Sequence, residues 1–247
     1  QLDNTLVIYI SDHGKFRGGK TTLYENGVHV PLLMQWPARF GGGQTYGHVV
    51  GSIDLAPTIM EACGIEKPEG YTLDGVSLLP VLNGIDEPVR DALFMQMGYA
   101  HGVKTDHWKY IAVRYPPKEE QMLLRGEKSP NWKSWKEDEP RDRPYLMLHP
   151  ELSRKASVGN PHYYERNQLY HLEKDPEENT NLFAEMPEKG AQMKRLLDRA
   201  ISEHIPHRPF GEFGPLGDDA AYRHVSDVVM DELPEAANEP SFALTEP

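Results

Sequence analysis

The sequence predicts an α/β chain in two parts: the C-terminal part of a larger mixed-sheet domain, then a small antiparallel sheet with one packed helix. Three observations carry this. Leu6 to Ile10 is a short, unbroken apolar run that ends abruptly at Ser11-Asp12-His13-Gly14, as expected of a strand covered on both faces in an α/β sheet. After Gly84 the chain turns to short alternating runs broken by turn residues: "ALFMQMG", "HGVKTDHWKYIAV" and "NQLYHL". Met193, Leu196, Leu197, Ala200 and Ile201 then recur at i, i+3, i+4, i+7 and i+8, the stripe of an amphipathic helix.

In chain order, "QLDNT" is a turn that feeds the first strand. A domain rarely begins on such a strand, so an upstream part is expected to be missing. Ser11 to Thr22 is a polar, glycine-rich loop. Val28 to Trp36 reads as a second strand, closed by Pro37. "HVVGSI" is a short extended piece. Asp54 to Cys63 reads as a helix, capped by Ser52 or Asp54, with Pro57 in its first turn and Gly64 at its stop. "DGVSLLPVLNG" is a polar turn and a short helical turn. The second part runs from residue 89 to about 205, after a first part of residues 1–88. "KTDHW" makes a hairpin around Asp106, and residues 115–166 form a long irregular excursion. Pro187 to His204 is the packed helix, and residues 206–247 are an acidic extended tail.

The formal net charge is -12, and the segment from Gly211 to Pro247 holds nine acids against Arg223 alone. This argues against nucleic acid or an anionic membrane as the main partner. No apolar run is long enough to span a bilayer. Cys63 is the single cysteine and lies in "IMEACGI", where it reads as a small buried core thiol.

The chemistry-bearing residues cluster early. Strand carboxyl ends in open α/β sheets deliver ligand-binding groups. A carboxylate oxygen of Asp12 and an imidazole nitrogen of His13 can reach one cation if the backbone turns sharply, which Gly14 permits. Arg17 and Lys20, in the same glycine-rich loop, suit a tetrahedral oxyanion such as sulfate or phosphate. The plain alternative is a solvated surface loop in which Asp12 caps a turn.

The run "SDHG…RGGKTTLYENGVHVPLLMQWPAR" resembles the formylglycine-dependent sulfatases of the alkaline phosphatase superfamily. The likeness continues through "SIDLAPTIMEACGI", "LDGVSLLPVLNG", "GVKTDHWKYI" and "NQLYHLEKDPEENTNL", covering about Leu2 to His204. It implies an alkaline-phosphatase-like fold and a sulfuric ester hydrolase acting on a sulfated small molecule or glycan. It also implies a periplasmic, extracellular or lysosomal setting. By that resemblance Asp12 and His13 are two ligands of a calcium ion, and Lys20 contacts a sulfate oxygen. Arg17 lies in range, and His101 is a substrate-contact candidate in the smaller subdomain. Tyr24 and Glu25 fix the loop rather than touch substrate, and Lys104 is a weaker candidate than His101.

The family's nucleophile comes from a Cys/Ser-x-Pro-x-Arg motif near the protein's start. That motif is not in this sequence, and Cys63 does not supply it. Asp12, His13 and Lys20 are therefore expected to be half a site, inactive alone. Two other readings stay open: a phosphonate or phosphodiester hydrolase of the same superfamily, or a non-catalytic carbohydrate-binding member.

Overall fold

The computed structural model describes residues 1–14, 19–20, 22–97, 100–114, 159–163 and 165–204. The expected excursion over residues 115–166 lies almost wholly outside the described residues, and the expected tail over 206–247 wholly outside them. Strand β1 (Val7–Ile10) pairs antiparallel with β2 (Leu32–Gln35), with Ile8 opposite Met34. Between them sits one helical turn, α1 (Glu25–Val28). Val28 thus ends a helix instead of opening a strand. The Tyr24 carbonyl accepts both the Gly27 and the Val28 N–H, and β2 starts only after Pro31.

Coverage of β1 on both faces is not observed. Val7 is 46% exposed, Tyr9 61% and Leu33 63%. Among the described residues β1 has a single neighbour, and a two-stranded ribbon has no layer to hide its apolar face.

Helix α2 (Leu55–Ala62) forms where expected. It stops because Gly64 takes φ +66°, a left-handed value that is cheap only without a Cβ. The Ile65 N–H then folds back to the Met60 carbonyl at 2.8 Å. Cys63 is exposed at this helix end, which corrects the core-thiol reading. The helix is short and buries Thr58 and Ala62, a stripe that Cys63 does not extend.

The start of α2 rests on Asp54, which is fully buried. Its carboxylate accepts the Gly51 N–H at 2.7 Å and the Val76 N–H at 2.8 Å, and it pairs with the Arg90 guanidinium. Thr58 extends the knot: its hydroxyl donates to the Asp54 carbonyl and accepts the Leu78 N–H at 2.8 Å. So "SIDLAPT", "DGVSLLP" and Arg90 are three distant pieces tied to one side chain. The helical turn α3 (Leu79–Leu82) follows directly.

Strands β3 (Leu93–Met97), β4 (Ala100–Lys104), β5 (Trp108–Val113) and β6 (Asn167–His171) make an antiparallel sheet in sequence order. Period-two alternation on β5 explains why it is covered on both sides. Tyr110 and Ala112 face Met193, Leu197 and Ile201 of α4 (Pro187–His204). Burying each of those three aliphatic side chains contributes about 1.5–3 kcal/mol. Ile111 and Val113 face the other way, onto Leu23 and Tyr24. The early loop is therefore a packing layer of the late sheet.

Candidate functional site

Beyond β1 the chain turns at once. The Ser11 hydroxyl donates to the His13 carbonyl at 2.8 Å, and the His13 N–H donates to Asp12 Oδ1 at 3.0 Å. His13 Nδ1 lies 2.8 Å from the Gly14 carbonyl oxygen. A carbonyl can only accept, so Nδ1 carries the proton in that contact and the Nε2 lone pair is left for another partner. Nε2 sits 3.6 Å from Asp12 Oδ2, and the Asp12 side chain is 85% exposed. The strand end thus presents one carboxylate oxygen and one imidazole nitrogen side by side.

The loop that carries Lys20 closes against this turn through three glycines. The Gly14 N–H donates to the Gly27 carbonyl at 2.8 Å. A Cβ on Gly14 would lie 2.3 Å from the Asn26 oxygen, and one on Gly27 would lie 2.1 Å from the Gly19 oxygen. That Gly19 oxygen accepts the Thr22 N–H at 3.1 Å and the Thr22 hydroxyl at 2.7 Å. Gly14, Gly19 and Gly27 meet where no side chain fits. The backbone next to His13 and the backbone next to Lys20 are therefore brought together. Arg17 lies outside the described residues.

The far side of the loop is fixed to the sheet. The Tyr24 hydroxyl donates to Gln168 Oε1 at 2.6 Å, both residues being buried. Lys109, fully buried in β5, donates to the Leu23 carbonyl at 2.9 Å and pairs with Glu25 at 2.7 Å and Glu178 at 2.9 Å. Lys104 donates to both Glu25 oxygens at 2.9 and 2.8 Å. Burial alone would raise the Glu25 carboxyl, but the Lys109 and Lys104 ammoniums hold it down at about 2. Glu178 moves the other way: burial pushes its carboxyl up, with Lys109 opposing. Tyr24 and Glu25 do fix the loop. Lys104 is engaged with Glu25, and Lys109 and Glu178 are absent from the sequence reading. A lysine inside the apolar run "WKYIAV" was the available signal, since a mid-strand charge on a packed face must have a partner.

His101 does not join this cluster. It is fully buried in β4 and stacks on Phe94, ring centroids 6.3 Å apart. Burial, with Arg114 nearby, lowers its pKa from 6.5 to about 4. The unfolded chain therefore takes up this proton first on acidification. Stability is lost as pH falls from 6.5 towards 4, by roughly 2 kcal/mol between pH 6.5 and 5. His48, which pairs with Asp106 at 2.6 Å, and His162 have raised pKa values and act in the opposite sense. Denaturant midpoints of wild type and His101→Gln at pH 7 and pH 5 isolate the effect. The variant is expected to lose less stability on acidification; equal losses would refute the prediction.

Among the described residues no group of three or more His, Cys, Asp or Glu side chains is placed to hold a metal ion. The Asp12 oxygen and His13 nitrogen fit a divalent cation as two of its ligands. The Nδ1–carbonyl contact is the backing that a metal-bound imidazole normally has. Calcium takes about six to eight oxygen ligands, so the pair is a partial set.

Residues 11–155 match the family profile described as N-sulphoglucosamine sulphohydrolase, C-terminal, which is more than half of the chain. The chain belongs to the sulfatase family. It is 32% identical over 224 residues to human arylsulfatase A, covering 81% of this chain and 40% of that protein. It is 29% identical over 201 residues to the ulvan-active sulfatase of Formosa agariphila, covering 79% and 36%. This sulfatase chain thus spans well under half the length of these relatives. A protein solved in complex with its substrate D-glucosamine-2-N,6-O-disulfate shares the fold at TM-score 0.56 and 22% identity, over 84% of this chain and 36% of that one. The phosphonate monoester hydrolase of Agrobacterium radiobacter does so at TM-score 0.52 and 21% identity, over 83% and 36%. The alkaline-phosphatase-like fold is thereby shown, and it does not separate sulfate from phosphonate chemistry. No helix among the described residues is long and apolar enough to cross a membrane.

Proposed function

We propose that this chain supplies the cation- and anion-receiving half of the site in a longer sulfuric ester hydrolase that acts on sulfated sugars. The observation that carries the reading is the glycine clasp, which sets the Asp12–His13 strand end beside the Lys20 loop. When bound, a calcium ion would supply Lewis-acid neutralisation of sulfate charge. Asp12 and His13 would be two of its ligands, and the others would come from outside this chain. His13 keeps its Nε2 lone pair for another partner because Nδ1 is committed to the Gly14 carbonyl. Lys20 donates to a sulfate oxygen and stabilises the charge that builds as the bond to the leaving alcohol breaks. Arg17 is a further anion contact under this reading. The attacking group, a formylglycine in the family, would also lie outside this chain.

The sugar preference rests on relatives. One is named for ulvan, and another, 25% identical over 219 residues, is the N-acetylglucosamine-6-O-sulfatase of Bacteroides thetaiotaomicron. A setting outside the cytoplasm and the division near residue 88 belong to the same proposal; the expected substrate contact by His101 does not. Full burial of His101 in this structure argues against that contact.

The longer protein should release sulfate from sulfated glucosamines, lose that activity in a calcium chelator and regain it with calcium. Phosphonate monoesters should be turned over at least ~100-fold less efficiently. A preference for phosphonates, or calcium-independent sulfate release, would overturn the reading.

A further inference from the structure

We infer that Lys109 and Glu178, which lie far from the strand end in sequence, are positioning residues for the anion loop. The inference rests on the sulfatase reading only for its catalytic consequence. Lys109 makes three contacts with two other segments: the Leu23 carbonyl, Glu25 and Glu178. Glu178 also accepts the Glu25 N–H, so one carboxylate holds both the backbone and the counter-ion of residue 25. Residues 23–25 are thereby pinned to the sheet, and Gly27 beyond them carries the clasp to Gly14 and Gly19.

The backbone at Glu178 adds an independent observation. Its φ is +56°, and it is the non-glycine residue found in the left-handed region among the described residues. That conformation costs about 1 kcal/mol for a side chain with a Cβ. A turn whose only job was to reverse the chain would take Gly or Asn there. The Asp175 carboxylate shapes the turn by accepting the Asn179 and Thr180 N–H groups at 3.0 and 2.8 Å. The strained residue is then the one whose buried carboxylate reaches Lys109 and residue 25. The smaller sheet is thus a platform that sets where Lys20 stands.

Lys109→Met alone would leave two buried carboxylates with one cation fewer, and it risks misfolding. The double variant Lys109→Met/Glu178→Gln removes one charge of each sign and leaves Glu25 paired with Lys104. Amide hydrogen exchange on the 247-residue chain then reads the coupling without any assay. The amides of Gly14, Thr22 and Gly27 should exchange at least ~30-fold faster, while those of Leu169 and Leu182 change by less than about threefold. Unchanged loop exchange would overturn the inference. So would a uniform rise across loop and sheet, which would make the pair merely structural.

In the longer protein the same double variant should lower kcat more than it raises KM. In a Lys20→Ala background it should add less than about twofold, because both changes act through one ammonium. Full additivity with Lys20→Ala would contradict the inference. A wild-type protein that releases no sulfate would instead sink the sulfatase reading and leave the exchange result to decide this one.

Discussion

Replacing Asp54 with alanine is expected to cost about 3–5 kcal/mol of stability. The carboxylate is fully buried and serves the Gly51 N–H, the Val76 N–H and the Arg90 guanidinium at once. Alanine leaves that guanidinium, itself mostly buried, with no counter-ion, and it leaves two amides without acceptors. The neighbourhood cannot relax inward to heal the loss. A Cβ on Gly75 would already lie 2.0 Å from the Ile53 oxygen, so the backbone leading into Val76 is pressed against the segment that enters α2. Asp54→Asn should recover part of the loss by keeping one acceptor. Denaturant midpoints measure both, and a loss under 1 kcal/mol for Asp54→Ala would show that the knot is not a stability element.

Gly27→Ala is expected to cost less stability, and its damage should be local. The added methyl would meet the Gly19 oxygen at 2.1 Å and the Thr22 hydroxyl at 2.7 Å. One of these is backbone, so the clasp must open. Overpacking of this kind costs about 1–3 kcal/mol. The functional loss should exceed the stability loss, because a displacement of about 1 Å at a charge-stabilising group can lower the rate by roughly 100-fold. The longer protein should therefore lose kcat/KM by at least that factor at temperatures where it remains folded. Gly47→Ala is the control, since nothing lies within 4 Å of its Cβ position. Equal kcat/KM for Gly27→Ala and wild type would remove the clasp from the account.

Local signals were readable in the sequence. Strands β3 to β6, helix α2 and helix α4 fall where alternation, capping residues and the Met193–Ile201 stripe put them. The role of Tyr24 and Glu25 as loop anchors came from the family resemblance, not from the residues' own pattern. The identity of their partners was not legible. Glu25 and Glu178 are 153 residues apart, and no periodicity within a window reports a pairing at that range. Asp54 was read as a helix cap, but its carboxylate makes no capping bond to α2. Its larger role depends on Val76 and Arg90, brought back by folding. Cys63 was misplaced because an apolar neighbourhood in sequence says nothing about the rotation of a short helix. Val7 and Tyr9 were expected to be covered on both faces, and among the described residues β1 has one neighbour strand.

Under the proposed function Asp12 and His13 act on one sulfate through a bound cation, and Lys20 acts on it directly. The most direct measurement is kcat/KM for sulfate release by the longer protein as wild type, Asp12→Ala and Lys20→Ala, each across a calcium titration. Each variant should lose at least ~100-fold. Asp12→Ala should also need more calcium for half-maximal activity, while Lys20→Ala should leave that midpoint unchanged. Retention of wild-type kcat/KM by either variant would contradict the claim that this strand end and this loop form the receiving half of the site.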